Sequence, residues 1–173
     1  TLSNEQITID LITTNDVHGS LVEQSANFMN PQYPPTILGA AGLFEYCTKY
    51  IDGERTLIFD AGNFFQGHPI SQSDSGRTVI EFMNKMNYTA LVPGVDDFIY
   101  GSKNLNNLAE ISDFPFIITN VTCNDCDLKS NNFKSFHIKT IDSLTIGILG
   151  IVNTQLSDQL LSKNIKGVSV NGV

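Results

Sequence analysis

Between Ile7 and Asn120 the chain repeats one rhythm: a short β-rich run, a polar loop, then apolar residues at helical spacing. Ile7–Thr14 alternates Ile7, Ile9 and Leu11 against Thr8, Asp10 and Ile12, then enters the cluster Asn15-Asp16-Val17-His18-Gly19. After a loop rich in Asn and Pro, Leu43, Cys47, Tyr50 and Ile51 recur at helical spacing and predict a helix over 38–51. The second unit pairs the run Thr56–Asp60 with a helix over 76–86 that carries Val79, Phe82, Met83 and Met86 on one face. In the third, Ala90–Val92 precedes a helix capped by Ser102 and carrying Leu105, Leu108 and Ala109. A fourth strand is expected at 116–120. Strands alternating with helices build a parallel sheet, and such sheets gather ligands where the strands' carboxyl ends open. The fold class read from this rhythm is α/β.

Beyond Asn120 the pattern changes. Two β-runs, 135–141 and 144–152, flank Asp142-Ser143 as a hairpin, and a short helix is expected over 155–162. Neither an internal repeat nor a linker interrupts the 173 residues, so a single domain over 1–173 is expected. Hydrophobic residues at 41% suffice for a core. The longest apolar run, 146–152, is broken by glycines and falls far short of the ~20 residues of a membrane span. Ten Lys and Arg against eighteen Asp and Glu give a net charge of −8 with no basic cluster, which argues against nucleic acid as a partner.

Cys123 and Cys126 form a C-x-x-C in a polar loop, which suits a local disulfide as well as a redox pair or zinc half-site, while Cys47 lies in the first helical pattern. Two sequons, Asn87-Tyr-Thr and Asn120-Val-Thr, are too common by chance to decide the compartment. No signal peptide is visible at Thr1, and a mature exported protein has already lost one.

Three polar loops follow three strands. Asp16 and His18, two apart in an extended segment, would project to one side and could share a cation. An Asx-turn and a surface imidazole are the plainer alternatives. In Asp60-Ala-Gly-Asn63, Gly62 suits a positive-φ turn and Asn63 offers one amide oxygen. In Pro93-Gly94-Val95-Asp96-Asp97 the two adjacent carboxylates point different ways, so they are not expected to share a proton, and one of them can cap the next helix.

Taken in order, NDVHG, LIFDAGNFFQGHPIS, GRTVIEFMNKMNYTALVPGVDDFIYG and FPFIITNV resemble the amino-terminal half of the 5′-nucleotidase and UDP-sugar hydrolase family of calcineurin-like metallophosphoesterases. The family's motifs read TNDxHG, DAGDxxQGTPxS, NxxGYDA and GNHEFDYG. The resemblance implies the first half of a four-layer α/β/β/α sandwich, leaving one face of the sheet to be covered by a missing carboxyl-terminal half, a partner chain or a second copy. It also implies an extracytoplasmic location, a nucleotide-like small molecule as ligand and a two-metal site. Asp16 and His18 match residues that bind the first metal.

The remaining site positions depart from the pattern. Asn63 stands for the carboxylate that bridges both metals, Val95 for an Asn ligand of the second, Asp96 for the His that contacts the scissile phosphate, and Asp97 for the neighbouring Glu. Two-metal hydrolysis holds cations ~3.5–4 Å apart, a spacing that a bridging anion makes tolerable. Neutral Asn63 offsets little of that repulsion, and Val95 offers no donor. Asp96 turns attraction for phosphate into a repulsion of roughly 3 kcal/mol per charge at ~5 Å and an effective dielectric of ~20.

The expected metal set therefore shrinks to Asp16 and His18, with Asn63 the poorest donor, holding one divalent ion (Mn, Zn, Mg or Ca) or none. His68, where the family often has Thr, is expected to be a partly exposed loop imidazole. The function expected is a catalytically degenerate module for binding or structure. The alternative is a phosphoesterase for nucleotides or nucleotide sugars, completed by a further segment. A thiosulfohydrolase branch also varies the GNHE motif, but no residue here calls for sulfur chemistry.

Overall fold

The structure, a computed structural model, describes residues 6–51 and 53–172. Strand β1 (Asp10–Thr14) is followed by a small hairpin of β2 (Gln24–Ser25) and β3 (Thr36–Ile37), then by helix α1 (Gly39–Tyr50). Next come β4 (Thr56–Asp60), the short helix α2 (Pro69–Ser73), α3 (Arg77–Lys85) and β5 (Ala90–Leu91). A 3-10 turn at Asp96–Phe98 leads to α4 (Ser102–Ile111) and β6 (Phe116–Ile117). The rest comprises β7 (Val121–Cys123), β8 (Phe133–Lys134), β9 (His137–Ile141), β10 (Leu144–Ile148), α5 (Leu156–Gln159) and β11 (Val168–Val170).

Five strands pair in the order β1-β4-β5-β6-β8, all parallel. Because the order runs one way across the sheet and crossovers of this kind are right-handed, the helical connections fall on one face. There α3 buries Val79, Ile80 and Met83, and α4 buries Leu105, Leu108 and Ala109, against Ile58, Leu91 and Phe116 of the sheet. Aromatic rings fill the centre: Phe116 lies 6.1 Å from Phe64 and 5.7 Å from Phe133, edge to face.

Among the described residues the opposite face is met by the hairpin β9–β10, whose two-residue turn is Asp142-Ser143 as the sequence suggests. Between β10 and the strands β1 and β4 lies an apolar groove of about 600 Å³, lined by Leu11, Thr13, Leu57, Phe59, Ile146 and Ile148 among others. Leu11 is 64% and Leu149 68% exposed. No helix among the described residues is long and apolar enough to cross a membrane.

Several local expectations are corrected. Residue 101, not Ser102, is the N-cap of α4; Ser102 is its first residue and is buried. Neither Asp96 nor Asp97 caps that helix, since both belong to the preceding 3-10 turn. Tyr50 does not face the core with Leu43 and Cys47 but is exposed, its ring 5.4 Å from that of Tyr46. Strand pairing at 116–120 stops at Ile117, and β8, α2 and β11 lie where loops were expected. Cys123 and Cys126 form a disulfide beside the β7–β11 pair, and the Cys47 thiol is unpaired.

Candidate functional site

The carboxyl ends of β1, β4 and β5 bring three loops together. Asp16 N–H donates to Gly62 O at 2.9 Å and His18 N–H to Asn63 O at 2.9 Å, joining the first loop to the second. The second meets the third through glycines: a Cβ on Gly62, which has φ 100°, would collide with the backbone of Gly94, and one on Gly94 with the side chain of Asn63. Larger residues at either position would hold the loops apart.

Behind the loops sit two buried carboxylates. Asp60 accepts Thr14 Oγ1–H at 2.6 Å and Gly62 N–H at 2.8 Å, locking the ends of β1 and β4 together, and burial pushes its pKa up to about 6. Asp97 accepts the N–H groups of Asn63 (2.8 Å), Phe64 (3.0 Å) and Gly94 (2.8 Å). Burial pushes it up to about 8, against the pull of those donors. Its role is to brace the second and third loops.

At the front, Asp16, His18 and Asn63 have φ of 50°, 49° and 55°, left-handed conformations that are uncommon outside glycine. The segment holding Asp16 and His18 is thus not extended as expected. The two side chains still face each other, with His18 Nε2 3.9 Å from Asp16 Oδ1. His18 Nδ1 lies 2.6 Å from Gln66 O and donates to it, which leaves Nε2 as the nitrogen with a free lone pair. Asp96, 40% exposed at its side chain, places Oδ2 4.0 Å from His18 Nδ1, whereas Asp97 is buried, so the adjacent carboxylates do point apart.

Asn63 spans all three loops. Its Nδ2 donates to Asp16 Oδ1 at 2.8 Å, and its Oδ1 accepts the N–H of Asp96 at 3.0 Å. The other oxygen of Asp16 accepts Asn15 Nδ2–H at 2.8 Å. Hydrogen bonds from Asn63 first and Asn15 second hold the Asp16 carboxyl below its ordinary pKa. His68 stands apart from this cluster: its Nδ1 accepts Ile70 N–H at 3.3 Å as the N-cap of α2, the task a Thr performs equally well. Sequence reasoning missed Asp60 and Asn15 as members of the site's frame. Their spacing from Asp16 and Asn63 is visible in the chain, but their partners are fixed only by strand pairing.

A divalent pair does not fit this donor set. Val95 supplies no ligand, and neutral Asn63 turns a hydrogen rather than a lone pair toward Asp16, so no anion bridges the position between two cations. Among the described residues no three His, Cys, Asp or Glu side chains converge as a metal-holding group.

No protein-family model matches the chain. It is 25% identical to a 5′-nucleotidase of Bos taurus over 154 residues, covering 85% of this chain and 26% of that protein. It is 20% identical to endonuclease YhcR of Bacillus subtilis (strain 168) over 184 residues, covering 97% of this chain and 15% of that one. The crystal structure of a 5′-nucleotidase precursor from Thermus thermophilus matches with a TM-score of 0.78 at 22% identity, over 95% of this chain and 32% of that one. This chain thus spans about a third or less of the length of each relative. In fold and in loop order, the chain is a distant homologue of the amino-terminal portion of the 5′-nucleotidase family of calcineurin-like phosphoesterases.

Proposed function

We propose that this domain keeps the phosphoesterase fold without its hydrolytic chemistry and serves as a binding or structural module, part of a larger sandwich. The observation that carries this reading is Asp96. Its carboxylate stands 4.0 Å from His18, on the loop where the family resemblance puts the phosphate-contacting His. A negative side chain there opposes a phosphate ester electrostatically, and among the described residues the only basic group found within 4.0 Å of its carboxylate is the His18 imidazole. An extracytoplasmic site of action is part of the proposal, supported by the Cys123–Cys126 disulfide. So is a further layer of polypeptide over the open sheet face, supported by the groove and by the greater length of the relatives.

The test is phosphate release from a nucleoside monophosphate in the presence of Mn²⁺. The unaltered chain is expected to release no more than a His18→Ala control. Metal-dependent turnover that disappears in His18→Ala would instead establish a phosphoesterase, the reading favoured by the free Nε2 of His18 beside Asp16.

A further inference from the structure

We infer that the side-chain amide of Asn63 is a latch that holds the three strand-end loops in register without any cation. It deepens the non-hydrolytic reading above, on which it rests, by assigning Asn63 a positioning role in place of a ligand role. The geometry is complementary at both ends of the amide. Its donor end meets Asp16 Oδ1 on the first loop at 2.8 Å, and its acceptor end meets Asp96 N–H on the third at 3.0 Å. Asn15 closes the remaining oxygen of Asp16 at 2.8 Å. The left-handed φ of 55° at Asn63 is one that Asn tolerates better than most residues, so the residue suits both the backbone and the contacts.

The chemistry of position 63 decides how the loops are held. A carboxylate there would still accept Asp96 N–H, but its second oxygen would face Asp16 Oδ1 at hydrogen-bond distance, two anions in contact with no proton between them. Such a site requires a cation. An amide of the same shape supplies the missing hydrogen, and a cation then has to displace it. Asn63 is therefore expected to make loop geometry independent of metal.

Thermal unfolding of the unaltered chain, Asn63→Asp and Asn63→Gly, each in EDTA and in millimolar Mn²⁺, tests this. Unaltered protein should melt at the same temperature in both. Asn63→Asp should melt roughly 3–6 °C lower in EDTA and recover part of that in Mn²⁺. Asn63→Gly, which relieves the backbone and removes the amide, should be lowered in both with no recovery. Hydrogen exchange gives an independent readout: the Asp96 amide should exchange about tenfold faster in Asn63→Gly and near the unaltered rate in Asn63→Asp, which keeps the acceptor. Asn63→Asp melting like the unaltered chain in EDTA would overturn the latch while leaving the non-hydrolytic reading intact. A saturable Mn²⁺ stabilisation of the unaltered chain would overturn it too. Phosphate release by the unaltered chain is the separate result that removes the functional reading.

Discussion

Where the second and third loops cross, a Cβ on Gly62 would run into the backbone of Gly94, and a Cβ on Gly94 would run into Asn63. Gly94→Ala would push a methyl into the Asn63 side chain and disturb its bond from Asp96. It is expected to cost roughly 1–3 kcal/mol in urea unfolding, in line with overpacking of a close contact. An unchanged midpoint would mean that the crossing relaxes freely. At this scale much of the site was readable. Asp16, His18, Asn63 and Asp96 do converge, because each lies just beyond a strand and parallel strands align their carboxyl ends. The direction each side chain takes was not readable. Left-handed φ at Asp16 and His18 replaces the extended geometry that their spacing suggests, and the occupation of Asp16 by two amides depends on residues from separate loops.

Among the elements, β1 and β4 are tied at their ends by Thr14 and Asp60, and the burial of that carboxyl makes stability sensitive to pH. Asp60 and Asp97 titrate in the fold near 6 and 8, above the ordinary carboxyl value of 3.8, because burial disfavours their charge. A carboxyl raised in this way holds its proton more tightly in the folded state. Its contribution is therefore fullest below the unfolded pKa and is lost as pH climbs through the folded one. Urea midpoints should fall between pH 4 and pH 8 relative to an Asp60→Asn chain, with a difference on the order of 3 kcal/mol for this one group. A pH-independent difference between the two chains would remove Asp60 from the account. The helices α3 and α4 were legible because nine- and ten-residue amphipathic patterns carry their own period. Two-residue strands such as β8 have no period to read and exist only because a neighbouring strand is in place. The cap of α4 was misread because Gly101, with φ 89°, enters the helix from a backbone geometry that Ser102 cannot reveal in sequence.

For the whole molecule, strand order and crossover hand together gather the helices on one sheet face, and the other, met by the β9–β10 hairpin, keeps an apolar groove beside β10. Replacing the exposed Leu11 and Leu149 by Lys should reduce self-association and binding of an apolar dye, with a stability change within about 0.5 kcal/mol per site. A large loss of stability would show that these side chains are already packed. The proposed reading is that, over the same fold, amide hydrogen bonds from Asn63 and Asn15 to Asp16 stand in for metal-holding chemistry. Equilibrium dialysis against Mn²⁺ tests that reading most directly, with an Asn63→Asp, Val95→Asn, Asp96→His chain alongside. The unaltered chain is predicted to retain no stoichiometric Mn²⁺ and the triple variant to gain binding; two tightly held ions per unaltered chain would contradict the account.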